Sequence, residues 1–198
     1  MRALCVTRQG DPVTPNVELM DLPEPLAGAG DLLVATEASA LNHLDLWVGR
    51  GLPGVDTAYP HIGGSDGCGR VVGVGQGVNE AWVGRRVMFN LAVDIPHVPS
   101  PESRPSGREI YMIGEHTPGT HAERFVAPAA NAIDVGDSTD PIQAAAFGLT
   151  HLTAWGMLCT KARLQCGDTV LITGIGGGVA LAALNIAMHF GCRTIVTS

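Results

Sequence analysis

From residue 1 to about residue 130 the chain alternates short β-like runs with turn segments. The runs are Arg2–Thr7, Val17–Asp21, Leu32–Glu37, Arg70–Val74, Arg85–Phe89 and Glu123–Ala127. Many short strands separated by turn residues predict an all-β region. Gly63, Gly64, Gly67, Gly69, Gly73, Gly75 and Gly77 crowd its middle, which fits a curved barrel with tight corners. Asp94–Arg108 carries Pro96, Pro99, Pro101 and Pro105 and is expected to be an extended, solvent-facing loop. Near residue 139 the character changes. Asp140-Pro141-Ile142-Gln143 supplies an N-cap, a first-turn proline and a capping-box glutamine ahead of an Ala-rich helical run. A second helix is predicted over Leu152–Lys161, then a turn at Cys166-Gly167-Asp168. The domain boundary is placed near residue 130, giving domains 1–130 and 131–198. No internal repeat is present.

The segment Val170-Leu171-Ile172-Thr173-Gly174-Ile175-Gly176-Gly177-Gly178-Val179-Ala180 is the most informative stretch. A buried-type strand runs into a glycine cluster and then into an apolar helix from Ala180 to Phe190. Strand, glycine turn and helix together present bare backbone N–H groups to a pyrophosphate. The first glycine serves the tight turn, a middle glycine the approach of phosphate to the backbone, and the last small residue, Ala180, the close packing of helix on strand. Leu181, Leu184 and Met188 are expected to share the helix's buried face, and Gly191 to stop it. Thr194–Thr197 then completes a βαβ unit. A strict glycine fingerprint fails at Val179, so the assignment rests on the flanking strand and helix. The alternative is a glycine-rich turn in some other α/β protein.

Formal net charge is −7, which argues against nucleic acid or an anionic membrane as partner. The N-terminal apolar run is too short for a signal peptide, and no apolar run reaches the length of a membrane span. The five cysteines, Cys5, Cys68, Cys159, Cys166 and Cys192, are scattered without a CxxC pair. They read as reduced thiols in a cytoplasmic protein rather than a disulfide or zinc framework.

With these segments in order, the chain resembles the medium-chain dehydrogenase/reductase family over nearly its whole length. The first part is similar to the family's GroES-like barrel domain. Ala40-Leu41-Asn42-His43-Leu44-Asp45-Leu46-Trp47-Val48-Gly49-Arg50-Gly51 is similar to its active-site segment, and His61–Gly69 to its glycine-rich segment. Gly174–Ala180 is similar to its GGVG-type cofactor loop. Gly177, Gly178 and Val179 carry that match, and Ala180 departs from the usual glycine. The resemblance implies an α/β fold with a large β part, a GroES-like β-barrel followed by an incomplete Rossmann domain (doubly wound parallel sheet). It implies hydride transfer between a nicotinamide and a small carbonyl, enone, quinone or alcohol.

A catalytic zinc needs three soft or borderline protein ligands. Zinc-dependent relatives place cysteine where this chain has Asn42, a His-Glu pair where it has Ser65-Asp66, and a third ligand near Leu149. Amide, hydroxyl and aliphatic groups do not make that site, and Asp66 alone does not rescue it. His43 and His61 lie nearby in sequence; the bland reading of each is an ordinary loop or surface residue. The four cysteines of the family's structural zinc lobe, expected near residues 90–115, are absent too. The expected metal set is therefore empty, as in the quinone oxidoreductase branch. Some relatives called zinc-type alcohol dehydrogenases share the Asn-His-Leu-Asp segment.

The resemblance implies that Asn42 donates near the nicotinamide ribose or the substrate oxygen; the alternative is a turn-capping amide. It places Thr153 at the nicotinamide, the alternative being a helix threonine bonding its own backbone. His43 is the candidate proton donor. Asp45 reads as structural, paired with an arginine such as Arg50, and Trp47 as a pocket wall or core residue. Cofactor contacts are assigned to Asn42, Thr153, Gly174, Gly176, Gly177, Gly178, Val179 and Ser198. At Ser198 no carboxylate ends the second strand to repel a 2′-phosphate, so NADP is expected over NAD. Expected partners are a small-molecule substrate and, in a full-length form, a second copy in a homodimer or homo-oligomer. The alternative reading is a non-catalytic truncated remnant or association module of the same family.

Overall fold

The strands of the first region pair in three antiparallel sheets. In the computed structural model, which describes residues 1–94 and 110–198, they are β1 (Arg2–Val6), β2 (Val17–Asp21), β3 (Asp31–Ala40), β4 (His61–Ile62), β5 (Asp66–Val74), β6 (Arg86–Phe89), β7 (Ala92–Asp94), β8 (Ile110–Met112), β9 (Arg124–Pro128) and β10 (Ala132–Asp134). The expected proline-rich loop lies outside the described residues except for Asp94, which ends β7. The orders are β2-β1-β4, β10-β6-β5-β3-β9 and β7-β8. The long strand β3 lies between β5 and β9, and its register on β5 shifts at Leu33/Val34 and again at Thr36/Ala38. Such bulges bend a strand and increase its twist, which turns the sheet toward closure.

The inward residues of these strands make the core. Leu32, Val34, Val71, Val87, Phe89, Phe125 and Ala127 are all buried. Phe89 and Phe125 meet with ring centroids 5.2 Å apart. Each Leu, Val or Phe among these core residues contributes about 1.5–3 kcal/mol by leaving water. Outside, Glu37 on β3 pairs with Arg86 at 2.6 Å and with Arg70 at 3.3 Å. The Arg86 hydrogen bond is the main reason its carboxyl lies below the usual range.

Helix α1 (His43–Arg50) follows β3 directly, and helix α2 (Pro141–Trp155) follows β10. Asp140 caps α2 as its sequence predicts, accepting from Ile142 N–H at 2.9 Å. Ala144 and Ala145 of α2 pack with Cys68, Ala38, Ala40 and Val135. The expected second helix over Leu152–Lys161 is not separate. The chain passes from α2 into a π-helical run, Gly156–Lys161, without a break, because Gly156 weakens the helix but does not stop it.

The chain divides into two compact units, Met1–Ala146 and Phe147–Ser198. The division thus falls inside α2, whereas the change in sequence character had suggested a boundary near residue 130. In the second unit β11 (Thr169–Ile172) pairs in parallel with β12 (Arg193–Val196) through helix α3 (Gly178–His189). This is one βαβ unit of the doubly wound type. The buried stripe of α3 is Ala182 and Ile186, packed with Ala154 and Leu164. The expected stripe of Leu181, Leu184 and Met188 is wrong: Leu181 and Met188 are exposed. The polar side chains of α3, Asn185 and His189, lie one turn apart and are exposed, and Leu181 and Met188 share their side at helical spacing, which leaves the buried side to Ala182 and Ile186. Leu171 of β11 is 62% exposed, so the sheet face it stands on is open.

Candidate functional site

The sequence-assigned residues fall into one group in each unit. In the first unit the group is built around the start of α1. Asn42 is the N-cap of that helix, with extended backbone, and its own N–H donates to Asp45 Oδ2 at 2.7 Å. This is the reach-back half of a capping box. Asn42 also has a long-range partner: its Nδ2 donates to Asp66 Oδ2 at 2.9 Å. The helix-cap position and a long-range hydrogen bond to Asp66 therefore coexist at this residue. An amide nitrogen carries two hydrogens, and only one is used on Asp66.

Asp45 ties the glycine-rich segment to α1. Its Oδ1 accepts from Gly64 N–H at 3.0 Å and faces His121 Nε2 at 3.6 Å. Burial pushes the Asp45 carboxyl up, but His121 together with the N–H groups of Asn42 and Gly64 outweighs it, and the net shift is downward. The structural reading of Asp45 is right and its expected partner is wrong: Arg50 pairs with Asp11, at 3.3 Å. His121 continues the line outward, its Nδ1 hydrogen-bonded to Ser39 Oγ at 2.9 Å. Ser39 and His121 were missed in the sequence. They stand 82 positions apart, and no local pattern marks either.

His61 is neither loop nor surface. It is buried in β4 with Nε2 on the Gly114 carbonyl at 3.0 Å, and burial holds its pKa below the ordinary imidazole value. His43 is exposed at the first turn of α1, its ring edge-on to Trp47 at 5.1 Å. Trp47 is itself 48% exposed, so it is not a core residue.

The donor set does not suit zinc. The Asn42 amide presents N–H to Asp66, and Ser65 offers a fully buried hydroxyl. Among the described residues no group of three His, Cys, Asp or Glu side chains is placed to hold a metal ion.

In the second unit Gly174 takes a positive φ of 66°, a conformation that favours glycine, and its carbonyl accepts from Gly177 N–H at 3.1 Å. Gly177 is the N-cap of α3, and Leu181 N–H bonds its carbonyl at 3.0 Å. The N–H groups of Gly178, Val179 and Ala180 precede that bond, so they have no acceptor within the helix. A Cβ on Gly174 or Gly176 would meet nothing within 4 Å, and one on Gly177 would meet only the Gly174 carbonyl at 3.7 Å. The turn leaves room for an anion above bare backbone, which fits a dinucleotide pyrophosphate. At Gly178 the turn comes close to α2, where a Cβ would lie 2.9 Å from the Thr150 methyl. Thr153 is exposed on α2, and Ser198 is exposed two residues past the end of β12.

The profile of the alcohol dehydrogenase GroES-like domain matches residues 28–137, and the chain belongs to that family, within the medium-chain dehydrogenases/reductases. It is 32% identical over 96% of its length to a zinc-type alcohol dehydrogenase-like protein of Leptosphaeria maculans, covering 54% of that protein. It is 26% identical over its whole length to a rat quinone oxidoreductase, covering 53% of it. Among solved structures it is similar to an NAD-dependent alcohol dehydrogenase, with a TM-score of 0.87 and 37% identity over 100% of this chain and 58% of that one. It is similar also to a mycobacterial protein complexed with NADPH, with a TM-score of 0.77 and 32% identity over 99% of this chain and 52% of that one. The chain thus spans about half the length of the curated relatives it matches. The fold is accordingly a GroES-like barrel followed by part of a Rossmann-type domain. No helix among the described residues is long and apolar enough to cross a membrane.

Proposed function

We propose that this chain belongs to a zinc-independent, NADP-dependent oxidoreductase that moves hydride between a nicotinamide and a small carbonyl, enone, quinone or alcohol. The observation that carries the reading is the Asn42–Asp66 hydrogen bond, which fills the place of a metal ligand set with a fixed amide donor. The nicotinamide, when bound, supplies or accepts the hydride. Everything else falls to the chain's own groups. The turn Gly174, Gly176, Gly177, Gly178 and Val179 offers its N–H groups to the pyrophosphate. Asn42, held on one side by Asp66 and on the other by the α1 cap, donates its second N–H to the substrate oxygen or the ribose. Thr153 adds a hydroxyl at the nicotinamide. His43, exposed beside Trp47, gives the proton that balances the hydride.

Ser198 supports NADP, because a hydroxyl does not repel a 2′-phosphate as a carboxylate would. Relatives that use NAD and relatives that bind NADPH both exist, so this preference rests on Ser198 and not on kinship. The unpaired cysteines fit a reducing cytoplasmic setting. Association into a homo-oligomer belongs to the same proposal.

The test is Asn42→Ser beside Asn42→Ala, with NADPH oxidation followed at 340 nm against a panel of quinones, enones and aldehydes. Serine keeps the helix cap but not the amide N–H. Both variants should lower kcat about 100-fold, the usual cost of one lost oxyanion donor. Full activity in Asn42→Ser would reduce Asn42 to a cap.

A further inference from the structure

Cys166 and Cys192 sit in the turns that precede β11 and β12. The parallel register sets those turns side by side: Thr169 stands opposite Arg193, and Arg193 N–H donates to the Asp168 carbonyl at 2.8 Å. The Cys192 thiol donates to the carbonyl of Gln165, the neighbour of Cys166, at 3.3 Å. The Cys166 sulfur, in turn, lies 3.4 Å from where a Cβ on Gly191, the neighbour of Cys192, would stand. Each sulfur therefore rests against the residue next to the other. Cys166 is exposed and Cys192 half-buried, while Cys5 and Cys68 are buried in the first unit.

We propose that Cys166 and Cys192 are a peroxide-responsive pair that closes a reversible disulfide at the foot of the βαβ unit. The exposed Cys166 attacks first. Its thiolate takes one oxygen of a hydroperoxide, the O–O bond breaks, and a sulfenic acid forms with release of water (or of the alcohol). The Cys192 thiolate then attacks that sulfur; the S–S bond forms, the S–O bond breaks, and water leaves. Two thiols lose two electrons and one peroxide gains them. The order follows from the surroundings. Burial pushes the Cys192 thiol up, and the charges of Asp168 and Cys166 add to it, which suits it to resolve rather than to initiate. The bond would close the loop that holds β11, the glycine turn and α3, restraining the unfolded chain across that unit. This inference does not depend on the nicotinamide reading.

The experiment treats the purified protein with hydrogen peroxide, then denatures it, counts thiols and maps peptides by mass spectrometry. Of the five thiols in the chain, two should be lost and return with dithiothreitol, and the cross-linked peptide should join Cys166 to Cys192. Cys192→Ser should trap Cys166 as a dimedone-reactive sulfenic acid, and Cys166→Ser should lose no thiol from Cys192. Cys159 packs against the same apolar cluster as Cys192. A disulfide through Cys159, a link between two chains, or a sulfinic acid at Cys166 with Cys192 still alkylatable would each overturn the proposal.

Discussion

Asp45→Ala offers the sharpest test of how the first site is held together. The Asp45 carboxylate accepts from two backbone N–H groups, Asn42 at 2.7 Å and Gly64 at 3.0 Å, and faces His121 at 3.6 Å. Its side chain is 16% exposed, so water replaces little of what the substitution removes. Hydrogen bonds to a charged group are worth about 1.5–3 kcal/mol each, and the orphaned donors carry their own desolvation cost. The sum is about 4 kcal/mol, of which Asp45→Asn, which keeps an acceptor oxygen but not the charge, should lose about half. In urea, with m of about 2 kcal/mol/M, Asp45→Ala should lower the midpoint by about 2 M, read from Trp47 and Trp82 fluorescence in the first unit. The pH dependence has a definite sign. The folded pKa of Asp45 is depressed, so its contribution is complete above the ordinary carboxylate value of about 4 and disappears as pH falls through the folded value. The gap between wild type and Asp45→Ala should therefore be widest at neutral pH and close on acidification. A midpoint within about 0.3 M of wild type at neutral pH, or a gap that widens in acid, would refute the reasoning.

Two glycine experiments separate fold from function. Gly177→Val should fold normally, because its backbone is extended (φ −88°, ψ 148°) and its Cβ would make only ordinary contact, yet NADPH binding should fall at least about tenfold as the side chain occupies the phosphate's place. Isothermal titration reads the affinity, and an unchanged Kd would make the loop a turn and nothing more. In the barrel, Gly69→Ala should cost about 3 kcal/mol or more, since a Cβ there runs into the Ala35 carbonyl across the sheet, whereas Gly73→Ala, whose nearest neighbour is the Leu33 Cβ at 3.6 Å, should cost about 1 kcal/mol or less. Thermal melts of the two variants that coincide would contradict the close strand approach.

The sequence carried the framework further than the site. Strands Val17–Asp21 and Arg86–Phe89 were legible because a β-like run ended at turn residues. β4, β7, β8 and β10 were not, because two or three residues hold too little pattern. β3 was placed but cut short, since its bulges interrupt the period-two alternation before Ala40. The glycine turn and its flanking strand and helix were readable because all three are contiguous in the chain. The first site was not, because it is assembled across the fold. The Asn42 amide finds Asp66 only when β5 lies beside β3, and His121 reaches Asp45 and Ser39 only when the chain has returned past the Gly63–Ser65 turn. Neither pairing leaves a trace in local spacing.

The central claim, hydride transfer supported by an amide donor in place of zinc, is tested most directly by measuring metal and turnover on the same sample. Elemental analysis of protein dialysed without chelator should give far less than one zinc per chain, and NADPH-dependent reduction of a quinone or enone should persist in 1,10-phenanthroline. About one zinc per chain, with activity lost to the chelator and restored by added zinc, would contradict the account.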